Sequence, residues 1–432
     1  MPTRVLAGHA EPMAAGVPLI DLDRPLPVPD PGSARTRMRS ALLLVALVAI
    51  LLALGGAAPA RHGLTSVLTV DEPVTSAELG AGSLFLATPK EVRRYALPAG
   101  TRVWTTSSEV SVQNLWVDED AGVVLVLASG DGDGDSLTAL DAGTGRQLWS
   151  RPATDTLVIT LSRGGLLTQT GFGEVARLTL DDSRTGRRLW SREVDPAGFL
   201  GPDEMYEGRS SMIVAVGATG SVVVLSYADG SVLADGNLEL TLRTTADHSV
   251  PANFTSVSVV GDKLYLSRRV LGRASLAAYS VRPLAELWRS EGGPTGTVTD
   301  CGPVLCVADT RWVTGVDPAG GGVRWEQPAW GVAYRYDGRR LFAYDNQEDA
   351  RAALLDAGTG RVLRTLGQSR QLGDLILRSD GSRTFVTVPD PATGDLRTVG
   401  AVTDAAWFRC QVGGDYLICP TLRGDTSVWR VS

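Results

Sequence analysis

Two kinds of hydrophobic pattern divide the chain. From Ala41 to Ala58 the residues ALLLVALVAILLALGGAA carry no charge. At about 1.5 Å per residue such a helix spans roughly 27 Å, enough to cross the hydrocarbon core of a bilayer. From Leu64 onwards, apolar and polar residues alternate in short runs broken by Gly, Asp and Pro, the pattern of strands joined by tight turns. The stretch LTALDAGTGRQLWS (Leu137 to Ser150) is the clearest case. Period-2 alternation leads into DAGTG, where Asp141 can bond backbone N–H groups and Gly143 and Gly145 can take positive φ. A return strand then closes on Trp149.

One such hairpin is marginal in water, so the pattern must recur. It does, as VRRYALPAGTRVWT (from Val92), ARLTLDDSRTGRRLWS (from Ala176), VVVLSYADGSVLAD (from Val222), LAAYSVRPLAELWRS (from Leu276), VTGVDPAGGGVRWEQ (from Val313) and AALLDAGTGRVLRT (from Ala352). FVTVPDPATGDLRTV, from Phe385, is a weaker copy. Trp104, Trp149, Trp190, Trp288 and Trp325 occupy the matching place, about 40 residues apart with one double gap. Two further short apolar runs precede most copies, which makes four strands per repeat. The reading is an all-β chain forming a single β-propeller whose tryptophans pack between blades.

Counting third-strand signals gives nine blades. With one signal taken as an embellishment the expectation is about eight, within a range of seven to nine. LTSVLTV (Leu64 to Val70) begins like an outermost strand with no partner before it, and TSVWRVS (Thr426 to Ser432) stops where a turn should follow. An open ring would expose two unpaired sheet edges, so the N-terminal strand is expected to close the last blade.

The LDAxTGxxLW pattern resembles the repeat of the PQQ-like (quinoprotein-like) propellers, over the chain from about Leu64 to its end. That family holds quinone-dependent dehydrogenases. It also holds non-enzymatic members similar to the propeller lipoprotein of the outer-membrane β-barrel assembly machinery. The motif specifies fold and leaves activity open. The dehydrogenases hold their quinone against two adjacent cysteines, a tryptophan and a calcium ion. This chain has no adjacent cysteines, so the resemblance implies a member without a cofactor and not an enzyme.

Composition then narrows the setting. Net charge is −7, and Lys90 and Lys263 are the only lysines among 41 basic residues, with no basic stripe for nucleic acid. Residues 1–40 are rich in proline (PLPVPDP) and read as a disordered tail. Residues 41–60 read as a single-pass signal anchor. Arg24, Arg35, Arg37 and Arg39 precede them and only Arg61 follows closely, so the tail is placed in the cytoplasm and residues 61–432 outside the cytoplasmic membrane. Ala58-Pro59-Ala60 offers the rival reading of a cleaved signal peptide, which exports the propeller equally.

Cys301, Cys306, Cys410 and Cys419 suit that compartment. With two-residue turns at Pro303-Val304 and Gly414-Asp415, each hairpin sets its own cysteines directly opposite. The expectation is two local disulfides, against four free thiols or, less readily, a zinc site. Asp131, Asp133 and Asp135 have the 1, 3, 5 spacing of a calcium loop. However, Ser136 stands where glycine is needed and Ala142 where the bidentate glutamate is needed, so a solvated turn is the better reading. His248 is the one histidine among the repeats, beside His9 and His62 outside them, and no catalytic triad can be built on it. Asn253-Phe254-Thr255 has the form of a glycosylation acceptor. Trp116, Trp312, Trp330 and Trp407 lie off the repeat and are candidates to face a ligand. The functional expectation is a monomeric, non-enzymatic scaffold binding an unknown envelope protein or peptide, with an envelope sensor of a cell-wall or small-molecule ligand as the alternative and a quinone-dependent dehydrogenase ranked last.

Overall fold

The computed structural model describes residues 63–432 apart from 81, 131–133, 172–174, 196, 202–210, 218–219, 239–253, 271, 310–311, 346–350 and 390–394. The tail 1–40, the apolar segment 41–60, the three histidines, Asn253, Asp131 and Asp133 therefore lie outside the described residues. Among those described, no helix is long and apolar enough to cross a membrane.

Among the described residues the repeats build nine four-stranded antiparallel units. In chain order the first six cover residues 76–107, 111–152, 156–194, 197–237, 254–291 and 297–327. The seventh and eighth share one long strand, Val362–Leu372. Its first part pairs back onto Arg351–Asp356, and from Ser369 it pairs forward onto Leu375–Ser379. The ninth unit is Gln411–Gly413, Tyr416–Pro420 and Thr426–Val431, completed by Leu64–Val70 from the other end of the chain. Nine lies at the top of the expected range: the repeat discounted as an embellishment is a full unit. The discount followed the commoner number for such propellers; here the seventh and eighth units are both complete, joined through their shared strand.

First strands of successive units lie against one another and line the centre of the ring. Second strands are the most apolar. Ser83–Thr88 (SLFLAT) and Met212–Gly217 (MIVAVG) are buried throughout, as strands enclosed on both faces should be. Fourth strands form the rim and are mostly exposed.

The closure is as expected. Leu64 stands opposite Val431 and Val70 opposite Thr426, with one register slip between Ser66 and Leu68. Gly63 and Ser432 exchange backbone hydrogen bonds, N–H to O at 2.9 and 3.2 Å, where the other units have a turn.

The repeat tryptophans bind five of the units to the next. On the rim strand, the residue before each tryptophan is a bulge: Arg94 faces Trp104 but Tyr95 faces Arg102, so Val103 has no partner. The same slip precedes Trp149, Trp190, Trp288 and Trp325. A bulge re-aims the next side chain, here into the neighbouring unit. Each indole N–H donates to a turn carbonyl there: Trp104 to Ala142 (3.0 Å), Trp149 to Ser183 (2.9 Å), Trp190 to Tyr227 (3.0 Å), Trp288 to Pro318 (3.1 Å) and Trp325 to Ala357 (3.1 Å). The ring lies on that turn's glycine. Gly230 has φ +65°, and a Cβ there would stand 2.7 Å from the Trp190 ring. The turn is held by its aspartate: Asp141 Oδ1 accepts Thr144 N–H at 3.0 Å and Thr144 Oγ1–H at 2.9 Å, and Asp182 and Asp356 repeat this.

Both pairs of cysteines are bonded, Cys301 to Cys306 and Cys410 to Cys419. The second pair is directly opposed across the turn Gly414-Asp415, 4.2 Å apart at Cα. The first corrects the expected register. Its turn falls at Gly302-Pro303, Cys301 N–H donates to Val304 O at 3.1 Å, and Cys306 faces Thr299. The cysteines are thus diagonal neighbours, 5.7 Å apart at Cα. Gly302 supplies a φ of +80° that proline cannot adopt, and that places the turn one residue early.

Candidate binding site at the seventh, eighth and ninth units

Aromatic side chains are concentrated where the seventh unit meets the eighth. In the first strand of the seventh, Val332–Arg335, Tyr334 faces Phe342 of the second strand, Arg340–Tyr344. Tyr344 lies two residues further along the same face, since side chains alternate with period two. The Tyr334 and Tyr344 rings stack with centroids 6.0 Å apart and their hydroxyls at 3.4 Å. Burial, then the hydrogen bond to Tyr334, push the Tyr344 hydroxyl well above its ordinary pKa, so it stays protonated and able to donate.

The opposite wall is Ser369, Arg370 and Gln371, at the start of the eighth unit, and the rim is the 3-10 helix Trp407–Arg409 that leads into the ninth. Together these residues enclose a cavity of about 390 Å³. Arg370 donates to Phe408 O and, at 3.5 Å, to Cys410 O, tying the helix to the wall. The Cys410–Cys419 disulfide fixes the chain where the helix ends. Phe408 is left 59% exposed and Tyr334 45% exposed. Gln371 Nε2 donates to Gly373 O at 3.1 Å, while its Oε1 is buried with no hydrogen-bond partner among the described residues. Ser369 Oγ is turned to Leu366 O at 3.1 Å. Exposed rings over a fixed guanidinium and a free amide acceptor suit the capture of an apolar side chain with its backbone.

Of the off-repeat tryptophans, only Trp407 lines this site. Trp116 is half-buried in the core between the second and third units. Trp330 is buried, with its Nε1 unpartnered among the described residues. Trp312 is exposed beside Asp309, outside the cavity. Asp135, the one described member of the possible calcium loop, accepts Ser129 Oγ–H at 2.6 Å. Sequence reasoning passed over Tyr334, Phe342, Tyr344, Arg370, Gln371 and Phe408. The signal available was aromatic density in AWGVAYRYDGRRLFAYD, where Tyr334, Tyr336 and Tyr344 fall close together in a chain with nine tyrosines.

A sequence profile described as outer membrane protein assembly factor BamB matches residues 89–309. No curated protein matches the chain. Similar solved structures include BamB from Moraxella catarrhalis, 14% identical, with a TM-score of 0.46 over 85% of this chain and 99% of that one. Sqt1 from Saccharomyces cerevisiae is 11% identical, with a TM-score of 0.47 over 85% and 99%. The computationally designed Ika8 protein is 12% identical, with a TM-score of 0.46 over 86% and 100%.

Proposed function

Because the chain belongs to the family described as outer membrane protein assembly factor BamB, we propose that it is a non-catalytic scaffold that holds a protein partner in the cell envelope. Family membership supports the coarse reading, a propeller that binds protein. The aromatic cavity carries the finer one: Phe408 and Tyr334 are exposed and line the same cavity, and such rings gather where a partner's side chain docks. The apolar run 41–60 tethers the ring, with the tail 1–40 in the cytoplasm and the propeller outside. The arginines before that run support this orientation, and two disulfides suit an oxidising compartment.

The test is proximity labelling in cells from a tag at Ser432, in the parent chain and in a Tyr334→Ser/Phe408→Ser variant. A set of extracytoplasmic proteins should be labelled, with at least one member lost in the variant while its melting temperature stays within about 3 °C of the parent's. Labelling of cytosolic proteins, or an identical set from both chains, would refute the reading.

A further inference from the structure

A second cavity, of about 420 Å³, lies between the fifth and sixth units, on the side of their first turns. Its origin is a single residue type. The first strand of the second unit ends on Asp118, whose Oδ2 accepts Gly164 N–H (2.8 Å) and Ser183 Oγ–H (3.3 Å) from the third unit, sealing that corner. The first strand of the fifth unit, Phe254–Val260, ends on Val260, which has no side-chain acceptor to send across. In the sixth unit, Asp300 caps Gly302 N–H at 2.8 Å and reaches on to Arg335 of the seventh unit, away from the fifth. The corner stays open.

The floor of the opening is polar. Tyr265 is only 2% exposed, its ring rests against Trp288, and its hydroxyl lines the cavity with no hydrogen-bond partner among the described residues. Two carboxylates stand near it, Asp262 in the turn Gly261-Asp262 and Asp300 across the boundary. Burial first, then the charges of Asp262 and Asp300, push the Tyr265 hydroxyl up to about 12. Asp300 is paired with Arg335 of the seventh unit, through Oδ2 at 2.9 Å and Oδ1 at 3.1 Å, and Asp262 is exposed. Val259, Val304 and Leu305 supply apolar walls. Lys263 stands on the rim.

We propose that this cavity binds a primary alkylammonium group, its N–H bonds going to Asp262, Asp300 and the Tyr265 hydroxyl and its alkyl stem lying against Val304 and Leu305. The Tyr265 hydroxyl makes no hydrogen bond within the described residues, and a cation between two carboxylates gives it and them a common partner. Lys263 adds a positive charge at the mouth, which favours a monocation over a diamine. The same ammonium could arrive on a free amine or on a partner's lysine.

Calorimetric titration of the full chain tests this with n-butylammonium and with the capped tripeptide Ac-Ala-Lys-Ala-amide, using butyrate as control. Saturable binding of n-butylammonium is expected, about tenfold weaker in Asp262→Asn, several-fold weaker in Tyr265→Phe, and tighter in Lys263→Met. Tyr265→Phe keeps the ring on Trp288, so its loss reports the hydroxyl. Tripeptide binding as strong as the amine's points to a protein lysine, and binding of the amine alone points to a free amine. No saturable binding of either, equal binding of butyrate, or indifference to both Asp262→Asn and Tyr265→Phe would overturn the proposal.

Discussion

From the first unit to the fourth, and again from the fifth to the seventh, every boundary is closed by the same device: a tryptophan on a turn glycine, and its N–H on a turn carbonyl. From the seventh unit round to the first the device is missing. Arg364 holds the position facing Leu354 where tryptophan would stand, Gly400 packs on Leu64, and Val67 O approaches Gly100. That arc is closed by other means: a strand shared between two units and the strand borrowed from the N-terminus. The aromatic cavity lies in this arc. The staple holds one side of each boundary and leaves the corner between the fifth and sixth units open, whereas departures from it leave room for a surface that is not repeated. The fourth boundary shows the minimal departure, with Ala234 in the tryptophan's place and Leu284 filling the space against it.

The largest effect should come from removing the borrowed strand. A chain that starts at Asp71 leaves Thr426–Val431 as an open edge, and gel filtration with circular dichroism should find it aggregated or unfolded. A melting temperature within about 2 °C of the parent's would show that the seam does not need that strand.

The staples come next. Trp190→Ala should lower the unfolding free energy in urea by about 3–5 kcal/mol, the range for a buried tryptophan. Arg364→Ala, at the matching place in the seam, should cost under about 0.5 kcal/mol. Equal losses would erase the distinction between the two arcs.

Replacing Cys410 and Cys419 together by serine should cost roughly 2–3 kcal/mol, as the short loop they close implies. The same variant should also weaken partner labelling through the cavity, because the helix Trp407–Arg409 is fixed by that bond. A stability loss with labelling intact would separate the disulfide from the site.

The smallest effect is one of pH, and its sign differs between the staple turns and the first strand of the first unit. In the stapled turns, hydrogen bonds from Thr144, Thr185 and Thr359 hold Asp141, Asp182 and Asp356 below the usual carboxylate range. Their contribution is present at neutral pH and is lost as pH falls through those depressed values. Glu78, on the first strand of the first unit, is pushed by burial to about 7 from 4.5. The folded chain therefore holds its proton where the unfolded chain has lost it, and stability declines as pH rises from 4.5 through about 7. Glu78→Gln should change nothing near pH ~4 and raise stability by on the order of 1–2 kcal/mol near pH ~8, read by urea titration at both. A gain of the same size at both would show that the carboxyl does not titrate there.

Much of this was legible in the residues. The repeat, its tryptophans and the complementary ends of the chain all follow from period-2 alternation and from turn residues whose roles are local. The diagonal register of Cys301 and Cys306 was not, because the expected turn began at Pro303 and left out Gly302, the residue that takes the positive φ. The binding cavity was not legible either. Trp407 drew notice only by standing off the repeat, and its partners Tyr334, Tyr344 and Arg370 come from two other units.

By itself, then, the sequence determined the unit: four strands, an aspartate-held turn, and a tryptophan aimed into the next unit by a bulge. Each of these is decided within a few residues, by steric limits on φ and by hydrogen bonds to near neighbours. Only the tertiary structure decided how many units close the ring, which corners stay open and which side chains meet inside them. Those outcomes depend on contacts between residues far apart in the chain, and whether Asp118 or Val260 ends a strand matters only once the next unit is beside it.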